Sequence, residues 1–268
     1  MPLTDAHCHL QAPELAGVLP EVWKCDMARW VVNGLHPSDW PLVAALARRQ
    51  PRVLPCFGLH PWYLKNRPAS WLEELEEMIS AHPGCGLGEF GLDRWMREAD
   101  LADQRTVFEA HWRLGLKRDL PMTIHCLKAW GALQEALEAL PLPPRGFLLH
   151  AYGGPVEMVS AWVRHGAYFS FSPAFLATHQ SSKRAAFQQM PLNRLLVETD
   201  APSMAPPPES NAFPLTDPVT GKALNHPANL RVAAASLAEL RGMPVPEMED
   251  ILEENFQRWW AKDRFRIG

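Results

Sequence analysis

The chain has 268 residues, 47% of them hydrophobic, with a formal net charge of −4 and five cysteines. That length fits one large domain with a sizeable core. The weak negative charge excludes a global attraction for nucleic acid. The odd cysteine count without paired spacing argues against a disulfide framework, and no run reaches the roughly 18 apolar residues of a membrane span.

In chain order, the sequence opens almost directly into Leu3-Thr4-Asp5-Ala6-His7, without the basic, apolar, small-residue order of a signal peptide, so a cytoplasmic protein is expected. Short apolar runs that read as strands fall near 3–9, 29–35, 53–59, 84–90, 121–126, 146–151, 167–172 and 194–199. Helical patterns alternate with them near 38–50, 70–82, 100–119, 127–140, 154–165, 175–189, 227–241 and 246–261. Ser38-Asp39 and the Ser70/Glu73 capping-box spacing mark two helix starts. Strand–helix alternation predicts parallel pairing through right-handed crossovers, and eight units predict an α/β (β/α)8 TIM-type barrel as a single domain over 1–268. Segment 201–226 is too proline-rich for a helix or central strand and is expected as a long loop across the barrel mouth. Most of the 11 tryptophans, Trp112 and Trp162 among them, are expected in the core or at interfaces.

Six residues sit at or just past strand ends: His7, His9, Glu89, His125, His150 and Asp200. Strand C-termini converge at the mouth of a barrel, and imidazole with carboxylate oxygen suits divalent ions. His7 and His9, two apart, share a strand face and can reach one ion. Glu89 lies in the apolar, glycine-flanked Gly88-Glu89-Phe90-Gly91, where a carboxylate needs a partner; it either bridges two metals or pairs with an arginine such as Arg94. His125 and His150 favour a second metal site. Asp200 is expected as a ligand that also holds the attacking water. Glu198 is either a water-orienting group or a structural ion pair. His60, in Gly58-Leu59-His60-Pro61, is expected near the mouth but outside the ligand set, where it assists a leaving oxygen or contacts a phosphate. Tyr152-Gly153-Gly154 is either an anion-binding turn or a plain tight one. Cys8 and Cys126 neighbour ligands but face away by strand alternation. His36, His82, His111, His165, His179 and His226 read as surface or helix-end residues.

At Asp5-Ala6-His7-Cys8-His9-Leu10, Gly58-Leu59-His60-Pro61, Gly88-Glu89-Phe90-Gly91-Leu92-Asp93, Thr123-Ile124-His125, Leu149-His150 and Leu196-Val197-Glu198-Thr199-Asp200-Ala201-Pro202, the chain resembles the TatD-type metal-dependent hydrolases of the amidohydrolase superfamily. The resemblance implies a (β/α)8 barrel with one metal at His7, His9, Glu89 and Asp200, another at Glu89, His125 and His150, and nuclease activity that removes nucleotides from a 3′ end. The sequence departs from the family at Ala151-Tyr152-Gly153-Gly154, Leu224-Asn225-His226-Pro227-Ala228-Asn229-Leu230 and Ser170-Phe171-Ser172-Pro173, all expected around the substrate.

The leading expectation is hydrolysis of DNA phosphodiester bonds with one or two divalent ions (Zn, Mn, Mg or Ni), catalysed by Asp200, Glu89, His60 and Glu198. The alternatives are metal-dependent hydrolysis of a small-molecule amide, ester or lactone, and a non-catalytic scaffold. DNA is the expected partner, with no membrane and no obligate protein partner.

Overall fold

The computed structural model describes residues 2–96, 98 and 100–261. Eight parallel strands run in sequence order through one sheet: β1 (Leu3–Cys8), β2 (Met27–Asn33), β3 (Val53–Phe57), β4 (Gly86–Asp93), β5 (Met122–Leu127), β6 (Phe147–Leu149), β7 (Ala167–Phe171) and β8 (Leu195–Val197). β1 and β8 meet at the rim, where Asp200 N–H donates to the His7 carbonyl at 3.0 Å and His9 N–H to the Ala201 carbonyl at 2.8 Å. The result is a (β/α)8 barrel. β1, β4, β6, β7 and β8 are buried on both faces throughout, the reason their sequences read as apolar runs rather than alternations.

Helices α1 (Leu19–Val22), α2 (Trp40–Arg49), α3 (Trp71–Ala81), α4 (Leu101–Arg118), α5 (Trp130–Glu138), α6 (Val159–Arg164), α7 (Ser181–Gln189), α8 (Leu230–Leu240) and α9 (Val245–Trp260) connect the strands and cover them. Trp112 and Trp162 are fully buried, as expected. α9 carries Trp259 and Phe256 into a cluster with Val31, Tyr168 and Leu196 inside the barrel floor.

Two expected helix entries differ in detail. Ser70 makes no cap to the backbone of α3; its hydroxyl donates to Glu74 instead, at 2.6 Å. Asp39 turns back to accept from Leu35 and His36 N–H, which ties the loop after β2 rather than capping α2. The proline-rich segment also holds more order than expected: β9 (Pro214–Thr216) pairs antiparallel with β10 (Ala223–Asn225). Pro214 is tolerated because this two-stranded ribbon is all edge.

Candidate active site

The rim site is assembled by backbone closure first. Asp5, fully buried in β1, accepts from the Thr199 hydroxyl at 2.6 Å and the Thr199 N–H at 3.0 Å, fastening β1 to the segment after β8. Burial pushes its carboxyl up to about 8, against those Thr199 hydrogen bonds. Asp200 follows with φ of 54°, a left-handed turn that carries its carboxylate beside His7 and His9. Glu89 enters from β4 between tightly packed strands: a side chain at Gly91 would lie 1.9 Å from the His125 carbonyl, and one at Gly58 within 2.8 Å of the Gly88-Glu89 backbone. Only glycine fits there. His125 comes from β5 and His150 from the residue after β6.

All six expected residues converge. His7 Nε2, His9 Nε2, Glu89 Oε2 and Asp200 Oδ1 face one another: the imidazole nitrogens are 3.1 Å apart and lie 3.3–3.4 Å from each carboxylate oxygen. Tetrahedral donors at about 2.0 Å from a small cation are about 3.3 Å apart, so these atoms have the spacing of a metal's ligands. Around the other oxygen of the same carboxylate, Glu89 Oε1 lies 2.8 Å from His150 Nε2, 3.0 Å from His125 Nδ1 and 3.4 Å from His60 Nε2. Glu89 therefore stands between two donor groups, and no contact pairs it with Arg94, which is exposed. Groups of three suited to a metal are His7–His9–Glu89, His7–His150–Asp200 and His60–Glu89–His125. Cys8 and Cys126 belong to the apolar core instead.

What each imidazole presents to the site depends on its outer nitrogen. His9 Nδ1 donates to the Asn33 carbonyl at 2.8 Å, and His125 Nε2 donates to Asp93 at 2.9 Å. His150 Nδ1 faces Glu198 at 3.4 Å. In His9 and His125 the outer proton on an oxygen leaves the inner nitrogen with its lone pair toward the site, the arrangement that suits a metal ligand. His60 is reversed: its Nδ1 accepts from the Trp62 N–H at 3.2 Å, which leaves an N–H at Nε2 pointing inward. His60 thus reaches the donor group around Glu89 as a hydrogen-bond donor.

Charge in the site is unbalanced in the same sense. Burial alone would raise the Glu89 carboxyl, but His150, His60 and His7 and a hydrogen bond to His125 hold it well below the usual range. Asp200 is likewise lowered; burial is overcome by hydrogen bonds to His7 and His9. Burial opposes a proton on His9, yet hydrogen bonds to Asp200 and Glu89 push it up to about 10. His60 goes the other way, down to about 4, because burial outweighs the pull of Glu89. Among the described residues no lysine or arginine pairs with these carboxylates, and protons or metal ions are what the donors can take.

The site opens into a cavity of about 440 Å³ whose walls include Trp62, Tyr63, Leu35, Asp39, Glu14 and Pro202. Several expectations are corrected here. The departures at 151–154, 170–173 and 224–230 do not line it. Ser170 sits behind His150, accepting from the Ala151 N–H and donating to Glu198, while Tyr152 is buried with its hydroxyl on the Pro155 carbonyl. Asn225 and Asn229 brace the long loop through the Thr199 and Phe213 carbonyls. Only Pro202 and Ser203 of that loop reach the cavity. His111 is buried within α4 rather than at a surface or helix end, stacked on Phe90 and Trp71, whereas His226 does stand at a helix end, capping a helical turn by accepting from the Ala228 N–H. Sequence reading gave no role to Asp5, Asp93 or Asn33. The two aspartates carry a legible signal, being carboxylates inside apolar strands; Asn33 acts through its carbonyl, which a sequence does not display.

A family model described as TatD related DNase matches residues 4–261. The human protein named Deoxyribonuclease TATDN3 is 26% identical over 98% of this chain and 96% of its own length. A Bacillus subtilis protein named Uncharacterized metal-dependent hydrolase YabD is 27% identical over 99% of this chain and its full length. The solved structure of the TatD homologue YjjV from Escherichia coli superposes with a TM-score of 0.86 at 25% identity, covering 96% of this chain and 97% of that one.

Proposed function

The chain belongs to the TatD related DNase family, and from that premise we propose that the rim pocket hydrolyses phosphodiester bonds of DNA, one terminal nucleotide at a time from a 3′ end. It is a metal-dependent hydrolase. The observation that carries the reading is the double-faced Glu89, with one oxygen shared among His7 and His9 and the other among His125 and His150. In this reading His7, His9, Glu89 and Asp200 hold one divalent cation, and Glu89, His125 and His150 hold a second. Such ions, when bound, polarise a phosphate and make a nucleophilic water available near neutral pH.

The chain's own groups do the rest. Asp200 orients the attacking water and accepts its proton. His60 donates a hydrogen bond from its inward N–H to a phosphate or leaving oxygen, as a ring that burial keeps neutral and the Trp62 N–H holds in that tautomer. Glu198 and Asp93 fix the rings of His150 and His125 from behind. A cavity of about 440 Å³ suits one nucleotide rather than a duplex, which favours action at a chain end.

The test is nucleotide release from a single-stranded oligonucleotide labelled at either end. Release from the 3′ end that stops with chelator and returns with added Mn²⁺ or Zn²⁺ is the expected outcome. Metal-restored turnover of esters or amides with no release from DNA would overturn it in favour of a small-molecule hydrolase.

A further inference from the structure

Two tryptophans are exposed among the described residues: Trp62, 47% exposed, and Trp95, 61% exposed. Both attach to one carboxylate. Asp93 Oδ2 accepts from the Trp62 indole N–H at 2.7 Å and from His125 Nε2 at 2.9 Å, while Oδ1 accepts from the Trp95 backbone N–H at 2.6 Å. The same aspartate that fixes His125 therefore fixes one exposed indole by its edge and the backbone that carries the other. Trp62 is part of the pocket wall, with Tyr63 beside it. Outward from it, the Lys128 ammonium lies 4.1 Å from the Trp95 ring centre. That contact sets a cation over one face of the ring and restrains it, with most of the indole still open to solvent.

An apolar surface left open at this size needs a reason. The position supplies one: Trp62 lines the pocket, the Asp93 that holds it also holds the backbone of Trp95, and the pair carries aromatic faces and a cation. The pocket lining also includes Glu14 and Asp39, which repel a polyanion, whereas Lys128 beside Trp95 attracts one. A strand of nucleic acid whose end is in the pocket thus finds its aromatic and cationic contacts together at the tryptophans. Stacking of bases on aromatic rings with basic groups along the backbone is the common means of holding single strands.

We propose that Trp62, Trp95 and Lys128 form a track on which the bases next to the cleaved end of a single strand stack, with Asp93 setting that track relative to His125; this rests on the phosphodiesterase reading above. Stacking tolerates every base, so the track selects single strands without selecting sequence.

The experiment compares metal-loaded protein on three substrates: bis(p-nitrophenyl) phosphate, a short single-stranded oligonucleotide, and the same backbone with abasic sites next to the end. The wild type is expected to prefer the base-bearing strand over the abasic one. Trp95→Ala lowers that preference about tenfold, mainly through KM, while Trp95→Phe retains most of it. Lys128→Ala weakens the salt dependence of KM on both strands alike. An unchanged preference in Trp95→Ala, or equal wild-type turnover of the two strands, would overturn the track. Cleavage of the small diester with no action on any oligonucleotide would instead sink the nuclease reading itself.

Discussion

The two ends of the barrel bury ionisable groups in opposite ways. At the floor, Glu253 of α9 is met by Arg29 at 2.6 Å and by the Thr4 hydroxyl at 2.9 Å, so its charge is answered within the chain. At the rim, the partners of Glu89 and Asp200 among the described residues are imidazoles, whose inner nitrogens face one another. His111 is the imidazole version of the floor. Its Nδ1 donates to the Val107 carbonyl at 2.8 Å and its Nε2 accepts from the Leu59 N–H at 3.1 Å, so both nitrogens are used and the ring stays neutral. Burial is common to all of these groups and marks none as functional. Donors that converge with no lysine or arginine against them among the described residues are what distinguish the rim.

That contrast can be broken by substitutions at each end. The largest effect is expected for Asp200→Ala, where turnover of an oligonucleotide falls by about 10³-fold or more with the circular dichroism spectrum retained; turnover like the wild type would remove Asp200 from the chemistry. Next comes acid stability. Burial lowers His111 to about 4, below an unfolded value of 6.5. The unfolded chain therefore binds a proton in that window and the folded one does not, so the contribution is complete above pH 6.5 and is lost as pH falls toward 4. In metal-free protein, the stability advantage of the wild type over His111→Gln should shrink by about 3 kcal/mol between those limits, read from urea melts.

At the floor, Glu253→Ala should cost about 2 kcal/mol and lower Tm by about 6 °C, with kcat unchanged. A loss of kcat without loss of Tm would contradict the division of labour between the ends. The smallest effect belongs to Asp93→Asn, where competition with a chelator should show metal held about tenfold more weakly. Unaltered affinity would mean that His125 does not need its outer partner.

The barrel was legible because each strand is a buried apolar run and each helix has its own period; all eight strands lie where the runs predict them, within a few residues. The convergence of His7, His9, Glu89, His125, His150 and Asp200 was legible because strand ends in such a barrel have one place to meet. Less was visible wherever a backbone atom or a reversal of direction decides the outcome. The inward N–H of His60 follows from a backbone donor at Trp62, and the placement of Asp200 from a left-handed turn. His111 looked like a surface residue because it lies on a mostly polar helix, yet its ring inserts between Phe90 and Trp71. The family departures were expected at the substrate, but they serve the packing behind His150 and the bracing of the long loop.

The most direct measurement is calorimetric titration of chelator-stripped protein with Zn²⁺ and with Mn²⁺, beside a folded His7→Ala/His9→Ala variant. Saturable binding of one or two equivalents by the wild type, lost or halved in the variant, is the expected result. No binding by the wild type, or equal binding by both proteins, would contradict the assignment of the rim donors to a metal centre.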